Sequence, residues 1–262
     1  MNFDLVFEGG GAKGMVFTGA LKEFERRGHS FDRLMGTSAG AIMATFLAAG
    51  YDSTEMMDAL SERVDGKPAF VQFMGVPESF DSDVIRESAT REWLENADIP
   101  ILPEGMEKRV DDWIVDILLK SALYRHIFSF VERGGWYSAD GFLDWMRKKL
   151  DEGTFNGKPR KFSAMNLEQF FKETGTDLTL LAADVTGNNL LVLNHRTAPK
   201  LNLVWAVRMS MSVPLLWQEV IWDPEWETYR EKEIAGNAVV DGGLLSNFPI
   251  ELFITEDERW LD

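Results

Sequence analysis

Ser38 sits at the centre of Gly36-Thr37-Ser38-Ala39-Gly40, between a short apolar run, Leu34-Met35, and a stretch of helical character, Ala41 to Ala49. In a G-x-S-x-G turn from strand to helix, the serine takes a strained conformation that pushes its hydroxyl outward, and the flanking glycines leave room for neighbouring chain. The following helix places free N–H groups and a positive dipole end where negative charge would develop. Taken alone, the pentapeptide equally fits an ordinary strand-to-helix turn with Ser38 as N-cap. A serine nucleophile needs a base, and only three histidines are available. His29 lies in a polar loop, His126 within a long helical stretch and His195 after a strand. A triad in the order Ser, acid, His would want a histidine late in the chain, yet none follows His195. Asp241 is the alternative. It ends the apolar run Ala238-Val239-Val240 and precedes Gly242-Gly243, a sheet-edge position from which a carboxylate can point into a cleft. Within reach of Ser38 it could take the hydroxyl proton, its pKa raised if the cleft is dry. Its other reading is a turn residue bonded to local N–H groups.

A second glycine-rich turn precedes the first. Asp4 to Glu8 reads as a strand, and Gly9-Gly10-Gly11-Ala12-Lys13-Gly14 opens a helix through Met15 to Glu25, with Phe17, Ala20, Leu21 and Phe24 on one face. Gly9, Gly11 and Gly14 satisfy G-x-G-x-x-G, the dinucleotide fingerprint, but the second strand ends in Gly36-Thr37-Ser38 rather than in the acidic residue that would hold a ribose. Nor is this a P-loop, because Lys13 precedes its glycine and Met15 stands where Ser or Thr is required. Under any reading the loop offers consecutive N–H groups beside a helix N-terminus, an anion site. Turns after consecutive parallel strands face each other at the carboxyl edge of the sheet.

These turns need a scaffold, and the composition supplies one. With 262 residues, 45% apolar and 12% aromatic, the chain can bury a large core. No run approaches the roughly 18 to 20 apolar residues of a membrane span, and Met1-Asn2-Phe3-Asp4 lacks the basic charge that opens a signal peptide, so a cytoplasmic location is expected, with peripheral contact at membranes. There is no cysteine, hence no disulfide, thiolate nucleophile or Cys-based zinc site. The net charge of −16 repels nucleic acid and strongly anionic membranes, so no nucleic-acid partner is expected and lipid contact must be apolar and local.

Residues 51 to 165 read as helical elaboration: helices over Asp52 to Val64, Ser82 to Leu94, Lys108 to Glu132 and Ala139 to Leu150. The apolar stripe of the third fits a helix packed on the core. Its aromatics, with Trp113, Phe128, Phe130 and Trp136 as candidates, also fit a lid or a membrane-facing surface. Strands follow at Leu178 to Ala182 and Asn189 to Leu193, then a helix from Leu203 to Met211 stopped by Pro214, then the strand Ala238 to Val240.

Four segments in order resemble the motifs of patatin-like phospholipases: Gly9 to Gly14, Gly36 to Gly40, Ser210-Met211-Ser212-Val213-Pro214, and Asp241-Gly242-Gly243 through Pro249. Gly135 to Gly141 and Leu181 to Gly187 resemble intervening family blocks, so the likeness covers nearly the whole chain. The resemblance implies an α/β fold, three-layer α/β/α with a mainly parallel central sheet, over a single domain 1–262 with a helical insertion at about 65–133. It implies a lipid acyl hydrolase of phospholipase A or lysophospholipase type with a Ser38–Asp241 dyad, Ser38 as nucleophile and Asp241 as base. The oxyanion hole would be drawn from Gly9, Gly10, Gly11, Ala12, Gly14 and Ala39, with Gly36, Gly40, Gly242 and Gly243 as motif glycines. No metal or cofactor is implied; the partner is a phospholipid or other lipid ester. Family members usually continue past Asn-x-Pro with another strand and helix. Thirteen residues follow Pro249 here, so completion of the sheet edge by a second copy, a partner or further chain is expected. The rival readings are a catalytically idle member of the fold serving as an interaction protein, and a nucleotide-binding module using Gly9 to Gly14.

Overall fold

The computed structural model describes residues 1–64, 66–77, 88–89 and 121–254. Strand β1 (Asn2–Phe7) leads through a 3-10 turn (Gly11–Met15) into α1 (Val16–Arg26), and β2 (Ser30–Thr37) leads directly into α2 (Ala39–Ala48). There follow α3 (Ser53–Ser61), α4 (Ala122–Arg133), β3 (Gly135–Tyr137), α5 (Asp140–Asp151) and α6 (Leu167–Thr174). Then come β4 (Asp177–Asp184), β5 (Asn189–Leu193), α7 (Leu203–Ser210), β6 (Leu215–Trp217), β7 (Val220–Ile221) and β8 (Ala238–Asp241).

The main sheet has the order β1-β2-β4-β8-β7, with β5 on the remaining edge of β4. Strands β1, β2 and β4 run parallel, as expected for an α/β fold, whereas β5, β8 and β7 join antiparallel. Along β4, residues Leu180 to Asp184 pair with β5 on one side. The opposite side is shared. Asp177 to Leu181 pair with β2, and Ala182 to Asp184 pair with β8. Strands β2 and β8 therefore meet end to end along one edge, each finishing at the junction.

The period-2 alternation of these strands sorts their side chains between two layers. Leu34, Leu178, Leu180, Ala182, Leu191 and Leu193 enter the large core on the helical face. The intervening Met35, Leu181 and Val192 form a smaller cluster on the other face, capped by Leu252. Helix α2 is buried over eight of its ten residues, which makes it the central helix of the first layer and fixes the position of its N-terminus.

Helix α3 is capped by Asp52, whose side chain accepts from the N–H groups of Thr54 and Glu55, each at 2.8 Å, while Glu55 accepts from the Asp52 N–H. It stops at Ser61, short of the expected Val64, because Arg63–Val64 pairs with Lys67–Pro68. A 3-10 turn, Ala69–Met74, follows. The expected helix over 82–94, apart from residues 88–89, and the first part of that over 108–132, Trp113 included, lie outside the described residues. In α4 the structure corrects the grouping of aromatics as one exposed surface. Phe128 is 1% exposed and belongs to the interior, whereas Phe130 is 40% exposed. Trp136 stacks on His126 at 5.3 Å between ring centroids.

Candidate active site

Ser38 has φ 55° and ψ −123°, a conformation L-residues rarely adopt and one that costs of order 1–3 kcal/mol. The turn can be this tight only because of the glycines around it. A Cβ at Gly36 would lie 2.3 Å from the Gly40 carbonyl oxygen, and one at Gly40 would lie 2.1 Å from the Phe7 carbonyl oxygen. Backbone occupies both spaces, so no larger residue fits without moving α2 against β2 or β1 against α2.

Asp241 ends β8 opposite Ala182, the position next to Leu181, which faces Thr37 at the end of β2. The shared β4 edge thus brings Ser38 and Asp241 together across two hundred residues of sequence. Asp241 is 4% exposed. Burial pushes its pKa up, an effect opposed by the nearby Ser38 side chain and by the Gly243 N–H, which donates to the carboxylate at 2.7 Å. A carboxylate raised by desolvation and facing a serine hydroxyl is suited to accept that proton. Gly242 lets the chain turn away: a Cβ there would fall 2.5 Å from the Leu181 carbonyl oxygen.

The Gly9–Gly14 loop closes the third side. A Cβ at Gly9 would stand 3.1 Å from Ser38 Cβ and 2.2 Å from Asn247 Oδ1. Asn247 ties this loop to the segment after Asp241: its Nδ2 donates to the Gly9 carbonyl at 3.1 Å, and its own carbonyl accepts from the Gly9 N–H at 3.2 Å. The Gly9 N–H is therefore already engaged. Lys13 N–H donates to the Gly10 carbonyl in the 3-10 turn, so the N–H groups of Gly10, Gly11 and Ala12 precede that turn's first hydrogen bond. Gly14 is buried, its Cβ position 3.1 Å from Ala39 Cβ at the head of α2. The histidines are spent elsewhere. His29 packs edge-on against Phe3 and Phe24, His126 stacks on Trp136, and His195 stacks on Phe171 with ring centroids 3.7 Å apart.

Sequence reasoning assigned no role to Asn247 or Arg208. Asn247 lies inside the quoted motif that begins at Asp241, a signal that its side chain faces the same junction. Arg208 carried a weaker one, a cation among the apolar positions of a helix that leads into Ser210.

A family model described as Patatin-like phospholipase matches residues 5–254. The uncharacterized protein YqhO of Bacillus subtilis (strain 168) is 31% identical over 266 residues, covering 99% of this chain and 69% of that protein. A cUMP-AMP-activated phospholipase of Escherichia coli is 40% identical over 65 residues, 23% of this chain and 20% of that one. Among solved structures, VipD from Legionella pneumophila superposes with a TM-score of 0.47 at 20% identity, over 93% of this chain and 46% of that chain. ExoU in its heterodimeric complex with SpcU, from Pseudomonas aeruginosa, gives 0.40 at 20% identity, over 84% and 38%. The chain spans less than half the length of these two solved chains.

Proposed function

Because this chain belongs to the patatin-like phospholipase family, we propose that it is a lipid acyl hydrolase working through an acyl-enzyme on Ser38 with Asp241 as the base. One observation carries the reading: a serine held at φ 55° at the head of α2 faces a buried carboxylate, and the histidines are all occupied elsewhere.

In the proposed cycle Ser38 Oγ attacks the ester carbonyl carbon and its proton passes to Asp241. The oxyanion sits against N–H groups of Gly10, Gly11 and Ala12, with Ala39 at the N-terminus of α2 adding a further donor. Asp241 then protonates the leaving alcohol as the acyl-enzyme forms. Water attacks the acyl carbon while Asp241 takes its proton, and as the bond from the acyl carbon to Ser38 Oγ breaks Asp241 returns that proton to Oγ, releasing the fatty acid and regenerating the serine. Phospholipase A or lysophospholipase chemistry is the reading of substrate class. Exposed apolar side chains adjoin the loops of the site in sequence, Met15 and Val16 beside the glycine loop, Leu215 past Ser212, and Leu244, Leu245 and Phe248 past Gly243. Such a rim suits acyl chains better than a water-soluble ester. We read residues 1–262 as one domain in which segment 65–133 is inserted.

Lipidomics on mixed phospholipid vesicles treated with wild type and with Ser38→Ala, combined with a fluorophosphonate probe, tests the assignment. Fatty acid released by the wild type alone, with the label on Ser38, is the expected result. Label on another serine, or equal hydrolysis by the mutant, overturns it.

A further inference from the structure

The turn Ser210-Met211-Ser212, at the C-terminal end of α7, touches both residues of the proposed dyad. Ser210 Oγ accepts from the Ser38 N–H at 3.0 Å, and the Ser212 carbonyl accepts from the Asp241 N–H at 2.9 Å. Neither serine has any measurable exposure. The first bond fixes the peptide plane that enters Ser38, where a non-glycine residue at positive φ would otherwise relax toward a commoner conformation. The second fixes the last residue of β8, and with it the point from which the carboxylate projects.

The turn is itself held by Arg208. This side chain is 2% exposed, and its guanidinium donates to Ser212 Oγ, to the Ser138 carbonyl at 3.0 Å and to the Gln218 carbonyl at 2.8 Å. Ser212 Oγ in turn donates to the Arg208 carbonyl at 2.5 Å. Its Nε finds no acceptor in the described structure, and desolvation lowers its pKa to about 10. A buried cation bound by neutral oxygens is expensive to keep. A lysine would carry the same charge but could not present a planar fork to three separate acceptors. Ser138 follows β3 and Gln218 follows β6, the strands that pair beyond α4, so Arg208 also joins that region to the turn.

We infer that Ser210 and Arg208 are positioning residues: Ser210 pins the strained backbone of Ser38, and Arg208, through Ser212, fixes Asp241, so that one turn sets the separation between hydroxyl and carboxylate. This rests on the dyad reading above. Neither residue needs to touch the substrate.

The test uses the full chain as wild type, Ser210→Ala, Ser212→Ala and Arg208→Lys. It measures steady-state hydrolysis of a short soluble ester, the rate of fluorophosphonate labelling at Ser38, and thermal melting. Ser210→Ala removes one oxygen, and the expected result is a kcat about 10- to 100-fold lower with KM within about twofold, slower labelling in parallel, and unchanged melting. Arg208→Lys and Ser212→Ala are expected to lower kcat in the same way. Wild-type activity without labelling of Ser38 would overturn the dyad reading, and this inference with it. Wild-type labelling with Ser210→Ala and Arg208→Lys matching wild type in kcat would overturn this inference alone. Loss through KM, or loss that tracks melting in all three variants, would assign these residues to binding or to the fold and overturn it as well.

Discussion

Thr37 and Asp241 are the last residues of two strands that run toward each other along one edge of β4, facing Leu181 and Ala182 respectively. The pairing register brings Ser38 beside Asp241, and the Ser210–Ser212 turn, bonded to the backbone N–H of each, holds them there. Changes that disturb this junction should therefore separate cleanly from changes elsewhere.

Glycines at the junction are expected to tolerate nothing larger. Gly40→Ala would put a Cβ 2.1 Å from the Phe7 carbonyl oxygen and Gly36→Ala one 2.3 Å from that of Gly40, so each is expected to cost about 3 kcal/mol or more in chemical denaturation. Gly19 provides the control. It lies inside α1 with open space where a Cβ would go, and Gly19→Ala should stabilise by about 0.5–1 kcal/mol.

Asp241→Asn should lower turnover on the order of a thousandfold while making the protein harder to melt. Burial raises the Asp241 pKa above its ordinary 3.8, so the folded state holds the proton more tightly than the unfolded chain does. The stability contributed by this site is whole below 3.8 and is lost as pH rises through the folded pKa. At neutral pH the buried anion is thus a net cost, which asparagine removes while keeping an oxygen for the Gly243 N–H. Melting series from neutral pH down to about pH 4 should show the mutant ahead at neutral pH and the gap closing on acidification. In the wild type, kcat/KM should fall with acid at a midpoint above 3.8.

Substitutions at Ser38 itself should divide chemistry from strain. Both Ser38→Ala and Ser38→Gly are expected to be inactive on esters. Glycine relieves the φ of 55° and alanine does not, so the glycine variant should be the more stable of the two by roughly 1 kcal/mol. Equal stabilities in urea titrations would mean that the turn stores no strain.

Two phenylalanines on one helix should behave oppositely. Phe128→Ala empties a fully buried position and is expected to destabilise by about 3–5 kcal/mol, with activity falling only as the folded fraction falls. Phe130→Ala, at 40% exposure, should leave melting and hydrolysis of a soluble ester unchanged. Parallel loss of stability in both would show that α4 packs on both faces.

The parts of the site that were legible in the sequence are those written in local rules. Glycines two residues either side of Ser38, a strand ending in Asp-Gly-Gly and the want of a late histidine each follow from backbone sterics or proton chemistry at one place. Short paired segments escaped. Strands β3, β6 and β7 have two or three residues each, too few to show a period, and α6 was missed although Asn166 and Gln169 form a capping box at its start. The aromatic stripe of α4 marked a shared face without telling which neighbour covers it, so Phe128 and Phe130 could not be told apart. Arg208 was out of reach for a related reason: two of its acceptors belong to residues 138 and 218, and only the folded chain brings them beside α7.

The end-to-end meeting of β2 and β8 on β4 also bears on how such a protein can change. Within the described residues, the chain between α3 and α4 adds no strand to that edge. It can therefore be lengthened, exchanged or redecorated while hydroxyl and carboxylate keep their distance. Variation in that chain need not reopen the chemistry at the strand junction.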